Sequence, residues 1–139
     1  MVLYHFATAQ NAKLIKRLGL TKGTLMWPLR DGRYMKAAPL QWLTVDREPA
    51  RQHWATDRTG TCGNRLEARI AFEIPRLEPG LYRWNEFAIW TLHSSQGDLA
   101  EFNSQGGADG SDWYVYVGRI PARRIVSALL YGDIAIRMM

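Results

Sequence analysis

One cysteine, Cys62, stands in the whole chain, so no disulfide can form within it. There is no Cys-x-x-Cys and no His-Cys grouping, so the zinc-ligand patterns are missing. As a nucleophile Cys62 lacks an identifiable base. No apolar run approaches the roughly 18 residues that a membrane span needs. The first residues lack the charged start and long apolar stretch of a secretory leader, and the expectation is a soluble, cytoplasmic protein. The glycines of Thr59-Gly60-Thr61-Cys62-Gly63-Asn64 carry neither a Walker lysine pattern nor a dinucleotide fingerprint. The aspartates between Ser104 and Asp112 do not follow the spacing of a calcium loop. Basic residues outnumber acidic ones, 18 to 13, yet no block of five or more gathers them. The formal charge of +5 favours anionic company: nucleic acid, a phosphorylated cofactor or an acidic protein face. Scattered charge equally fits a solvated surface. Convergence of the arginines on one face is a matter of tertiary structure.

What is present is enough for one domain with a core: 139 residues, 47% of them hydrophobic. Leu3, Tyr4 and Phe6 read as a strand into which His5 is set. Thr8 is placed to cap a helix over residues 9–18, whose Leu14, Ile15 and Leu18 share a face, and Gly19 is placed to stop it. Residues 21–39 form a long excursion with a hairpin turn at Asp31-Gly32. Residues 40–45 read as a strand covered on both faces, and Glu48-Pro49 as the first turn of a helix running to Ala55. From Leu66 to Ile74, Ala68, Ile70, Phe72 and Ile74 alternate with Glu67, Arg69, Ala71 and Glu73, which predicts a full strand ended by Pro75.

Residues 84–92 have near-helical spacing of Phe87, Ile89 and Trp90, read as core, and residues 98–103 a further helical turn. Residues 104–112 read as a polar loop and 113–118 as an aromatic, β-branched strand. Residues 124–131 and 134–138 are predicted strands joined by a turn at Gly132-Asp133. The order β, α, then mostly β with inserted helices predicts a single α+β domain with a mixed or antiparallel sheet and short flanking helices.

Leu3-Tyr4-His5-Phe6-Ala7-Thr8, with Leu14-Ile15 and Gly19-Leu20, resembles the opening of ADP-ribosyltransferase-like proteins. The tRNA 2′-phosphotransferases and the DNA-modifying ADP-ribosyltransferase toxins start with a similar Tyr-His-Phe strand, helix and Gly-Leu. Trp42-Leu43-Thr44 is similar to the short second strand that flanks the nicotinamide pocket in that fold. Residues 64–75 resemble a later core strand, and 113–121 the strand that leads into an Ile-Pro turn. Small bacterial and phage proteins share the Trp-Leu-Thr and Gly-x-Ile-Pro elements.

The resemblance implies an ADP-ribosyltransferase-like fold with NAD as cofactor, modifying nucleic acid or protein in a bacterial or phage conflict. It implies that His5 hydrogen-bonds a ribose or the nicotinamide amide and that Thr44 orients the same ligand. Tyr4 and Trp42 would stack on a planar ring, and Arg65 and Arg69 would pair with a pyrophosphate. The family's glutamate near the start of a late strand orients the nicotinamide ribose, and here that place holds Asp112 and Trp113. Asp112 has a shorter reach, so the catalytic acid is expected to be Asp112 or Glu101, with Glu86 on another helical segment.

Each of these residues also has a plainer reading by type. A strand histidine is satisfied by backbone, a strand threonine is structural, strand aromatics are core and arginines are solvated. Three functions stay open on the sequence. One is the NAD-dependent transferase. Another is a catalytically inactive phage or bacterial antagonist that binds an acidic protein or nucleic acid. The third is a nucleic-acid-binding β domain with Trp113, Tyr114 and Tyr116 stacking on bases.

Overall fold

The opening segment folds as its residues dictate. In the computed structural model, which describes residues 1–28, 31–37, 39–48, 67–105 and 110–130, Val2–Ala7 forms β1 and Ala9–Leu18 forms α1. The Thr8 hydroxyl accepts from the Asn11 backbone N–H at 3.1 Å, satisfying one of the helix's free donors. Gly19 then turns the chain at φ 84° and donates to the Ile15 carbonyl at 2.8 Å. A Cβ at Gly19 would lie 2.2 Å from the Ile120 carbonyl oxygen, so a side chain has no room at this crossing.

Leu25–Pro28 (β2) and Tyr34–Ala37 (β3) make the expected hairpin. Its Asp31-Gly32 turn is stiffened by Asp31, whose carboxylate accepts from the Arg33 backbone and guanidinium. That guanidinium holds the Asp31 carboxyl below its usual range. Four of the remaining strands are Leu40–Thr44 (β4), Ala68–Glu73 (β5), Leu81–Arg83 (β6) and Trp113–Val117 (β7). Ile125–Leu130 (β8) follows a 3-10 turn at Ala122–Arg124. Trp84–Trp90 is α2 and Gln96–Gln105 is α3.

Six strands form one sheet, ordered β6-β7-β4-β1-β5-β8, and every pairing in it is antiparallel. The fold is α+β, with three layers. Period-two alternation sends Leu3, Leu43, Ile70, Phe72 and Tyr114 to one face, where they pack with Ala12 and Ile15 of α1. It sends Leu40, Trp42 and Val115 to the other, against Leu25 and Trp27 of the hairpin, Trp84 and Phe87 of α2 and Leu99 of α3. Among the described residues no helix is long and apolar enough to cross a membrane.

Several boundaries differ from the sequence expectations, each for a local reason. The turn expected over residues 98–103 is part of a longer α3, which begins where the Ser95 hydroxyl accepts from the Asp98 N–H at 3.0 Å. Ser104 and Gln105 therefore belong to a helix rather than a loop, and Gly110 is buried. Trp90 is 77% exposed: on α2, Trp84, Phe87 and Ala88 take the inward face. The short β6 has no readable period of its own and exists because it pairs with β7. Glu48 lies outside any regular element, and the rest of the helix expected there lies outside the described residues, as do the 132–138 hairpin and Cys62.

Candidate functional site

The site begins where two neighbouring strands part. β1 pairs with β5 from Val2↔Glu73 to Ala7↔Ala68, and β4 pairs with β7 from Leu40↔Val117 to Thr44↔Trp113. Between β1 and β4 there is one register pair, Tyr4↔Thr44. Past it the two strands form a fork. The Trp42 carbonyl accepts from His5 Nδ1 at 2.9 Å, so an imidazole stands between the strands. A carbonyl only accepts, so this bond places a proton on Nδ1.

The open end of the fork is crossed by the chain after α1. Leu20 and Ile120 exchange backbone hydrogen bonds at 2.8 and 2.9 Å, and the Leu40 N–H donates to the Gly23 carbonyl at 3.0 Å. Gln41, fully buried, ties this crossing to the sheet. Its Oε1 accepts from the Gly23 N–H at 2.8 Å and its Nε2 donates to the Gly118 carbonyl at 2.9 Å. A Cβ at Gly23 would meet the Leu40 oxygen at 2.2 Å, so the close approach of the two backbones depends on that glycine.

A cavity of about 720 Å³ occupies the fork. One wall is aromatic: Trp42, Trp84, Phe102 and Trp113, with Trp42 and Trp84 ring centroids 4.6 Å apart and Trp84 and Phe102 5.3 Å apart. Asn103 sits in that wall, accepting from Trp84 Nε1 at 2.8 Å and donating to Asn85 Oδ1 at 3.0 Å. The opposite wall is α1 with Asn11, Leu14 and Leu18, and the rim carries Thr21, Lys22 and Thr24. Flat apolar rings thus face a polar rim bearing a lysine, an arrangement suited to a ligand with a planar ring and an anionic group.

Of the residues singled out on the sequence, His5 and Trp42 come together in this cavity. Tyr4 and Thr44 pair on the face that Trp42 also takes, opposite to His5, but neither of them lines the cavity. Thr44 is 1% exposed and its hydroxyl accepts from the Asp46 N–H at 3.1 Å, while Tyr4 lies under Arg69 at 5.1 Å. Arg69 also donates to the Arg47 carbonyl at 2.8 Å. Arg65 lies outside the described residues. Asp112 is exposed ahead of β7, with its carbonyl accepting from the Val45 N–H, and Glu101 is exposed on α3. Neither carboxylate lines the cavity, nor does any other among the described residues.

The aromatics considered for base stacking do not form one platform. Tyr114 and Tyr116 face the α1 side, and Trp113 faces α2 and α3. Burial, with the Glu78 carboxylate nearby, pushes the Tyr116 hydroxyl above its ordinary pKa. Residues that the sequence reading missed include Lys22, Asn11, Asn103 and Trp84. A signal existed for Lys22, in the polar Thr-Lys-Gly-Thr stretch directly after a helix stop. Asn103 had none, since its place depends on how α3 packs against α2.

Among the described residues no group of three His, Cys, Asp or Glu side chains is placed to hold a metal ion. No family model, curated protein or solved structure matches the chain.

Proposed function

We propose that this chain is an ADP-ribosyltransferase-like domain that binds an NAD-type dinucleotide in the fork between β1 and β4. The observation that carries this reading is the fork itself. Strand separation beyond Tyr4↔Thr44 leaves a cavity of about 720 Å³ with a tethered imidazole at its branch, within the range of pockets that enclose small ligands and cofactors. The residues present fit such a group. The part-exposed indoles of Trp42 and Trp113 offer flat surfaces to a base or a nicotinamide with Trp84 packed beside them, His5 offers its imidazole, and Lys22 on the rim offers a cation to phosphate oxygens. Bound NAD would supply a glycosidic bond open to transfer. This chain's own part, on the described residues, is to bind and orient it, because neither Asp112 nor Glu101 reaches the cavity. Binding without transfer is therefore the function favoured here.

Titration with NAD, read by tryptophan emission, tests the reading, since three of the six tryptophans line the cavity. A saturable change is expected, with an upward shift of the thermal midpoint that grows with ligand concentration. His5→Ala is expected to weaken binding at least about tenfold, or about 1.4 kcal/mol, while Tyr4→Phe, outside the cavity lining, leaves it unchanged. An emission signal that does not saturate, with no thermal shift, overturns the proposal.

A further inference from the structure

The charge that looks scattered along the sequence is gathered by the fold. No Asp or Glu occurs between Ala9 and Arg30, and none between Trp113 and Gly132. These two acid-free stretches are far apart in the chain, yet they meet. Leu20 bridges to Ile120, and Gly19 packs against the backbone from Ile120 to Ala122. The meeting point sets Arg119 and Arg123 beside the end of α1 and Lys22. On α1, Lys13, Lys16 and Arg17 lie at i, i+3 and i+4, which makes one stripe on the exposed surface.

All six side chains belong to exposed residues. Among the described residues the side-chain ion pairs join Arg33 to Asp31 and Arg124 to Glu78, and none involves these six. Like charges one helical turn apart repel, by a few tenths of a kcal/mol per pair. The carboxylates at these elements serve other groups, Glu67 the Ala9 N–H and Glu78 Arg124, so an external anion with repeated charges would relieve the repulsion.

We propose that this ridge binds the phosphate backbone of a nucleic acid. Two observations favour nucleic acid over an acidic protein face. Protein interfaces have an apolar, often aromatic centre, and the large apolar side chains exposed on or next to the ridge are the aliphatic Leu18, Val117 and Val126, whereas the exposed aromatics Tyr34, Tyr82 and Trp90 belong to β3, β6 and α2. The cations are also spread along a helix and an adjoining turn, a spacing that can make repeated phosphate contacts. The ridge acts through phosphates, so strand and duplex both bind; Lys22 is shared with the cavity rim, and the other five cations lie outside the cavity, so the inference does not depend on what fills it.

The test uses the whole chain and a fluorescein-labelled 20-nucleotide mixed sequence, single-stranded and as duplex, followed by anisotropy across salt concentrations. The logarithm of affinity is expected to fall linearly with the logarithm of salt, with a slope of about −3 or steeper. Lys16→Glu with Arg17→Glu is expected to weaken binding at least about tenfold and to make the slope shallower by about 2. Arg33→Glu with Lys36→Glu changes net charge equally, on the hairpin that packs against the other sheet face, and is expected to leave most of the affinity. Circular dichroism of both variants checks that each is folded. NAD titration of the Lys16/Arg17 variant is expected to match the parent, which separates failure here from failure of the cavity reading. Equal losses from the two double variants, a flat salt response, or full competition by polyglutamate at matched charge each overturn the proposal.

Discussion

Trp84→Ala is expected to destabilise the protein by about 3–5 kcal/mol, the usual range for removing a fully buried tryptophan. Trp84 is 1% exposed and its ring lies within 6.4 Å, centroid to centroid, of Trp27, Trp42, Phe87 and Phe102. Those four rings come from the hairpin, β4, α2 and α3, so one side chain joins every element of that layer. The substitution also removes the indole N–H that Asn103 accepts. Calorimetry should show the melting temperature falling by roughly 10–20 °C. Trp84→Phe keeps most of the packing and loses the donor, and is expected to cost about 1–2 kcal/mol. A fall of less than roughly 4 °C for Trp84→Ala would mean that the aromatic layer is not a main source of stability.

Gln41→Leu is expected to be the second large effect, at about 2–4 kcal/mol. Leucine has similar bulk but offers neither the acceptor for Gly23 N–H nor the donor to the Gly118 carbonyl, and the Gln41 side chain is buried away from bulk solvent. Because Gln41 holds the crossing that closes the fork, the same variant is expected to lose ligand affinity in the tryptophan titration. Gln41→Glu separates the two bonds. As a neutral acid it can donate as the amide does; as a carboxylate it cannot, and its buried charge raises its pKa. The sign follows from linkage: a folded pKa above the unfolded value gives stability present at low pH and lost as pH rises through it. The Glu variant should therefore approach the parent in acid and fall behind near neutrality. Equal deficits at both pH values would show that the donor to Gly118 carries no weight.

Much of the fold is legible in local chemistry. The Thr8 cap, the apolar face of α1 and the Gly19 stop rest on interactions within one or two helical turns, so they can be read without knowing any neighbour. The alternation from Ala68 to Ile74 works the same way, since a strand with one face packed on the core and the other carrying Arg69 and Glu73 imposes its period on the sequence. Three-residue β6 is not legible, because it takes its structure from the Trp113–Val117 strand it pairs with. The limits of α3 and the exposure of Trp90 depend on which helix face the sheet offers to pack against.

The candidate site divides along the same line. By itself the sequence determined that His5 sits in a strand, that aromatic side chains are plentiful, and that positive charge is in excess. Those properties belong to residue types and short spacings. Only the tertiary structure decided that β1 and β4 part after Tyr4↔Thr44, that His5 bridges to the Trp42 carbonyl, and that Tyr4 and Thr44 stay outside the cavity. It also decided that two acid-free stretches about a hundred residues apart meet at Leu20 and Ile120. The reason is physical. Strand register and crossover contacts are set by the packing of distant side chains, and a shift of one residue exchanges the faces of a sheet while leaving every local propensity unchanged.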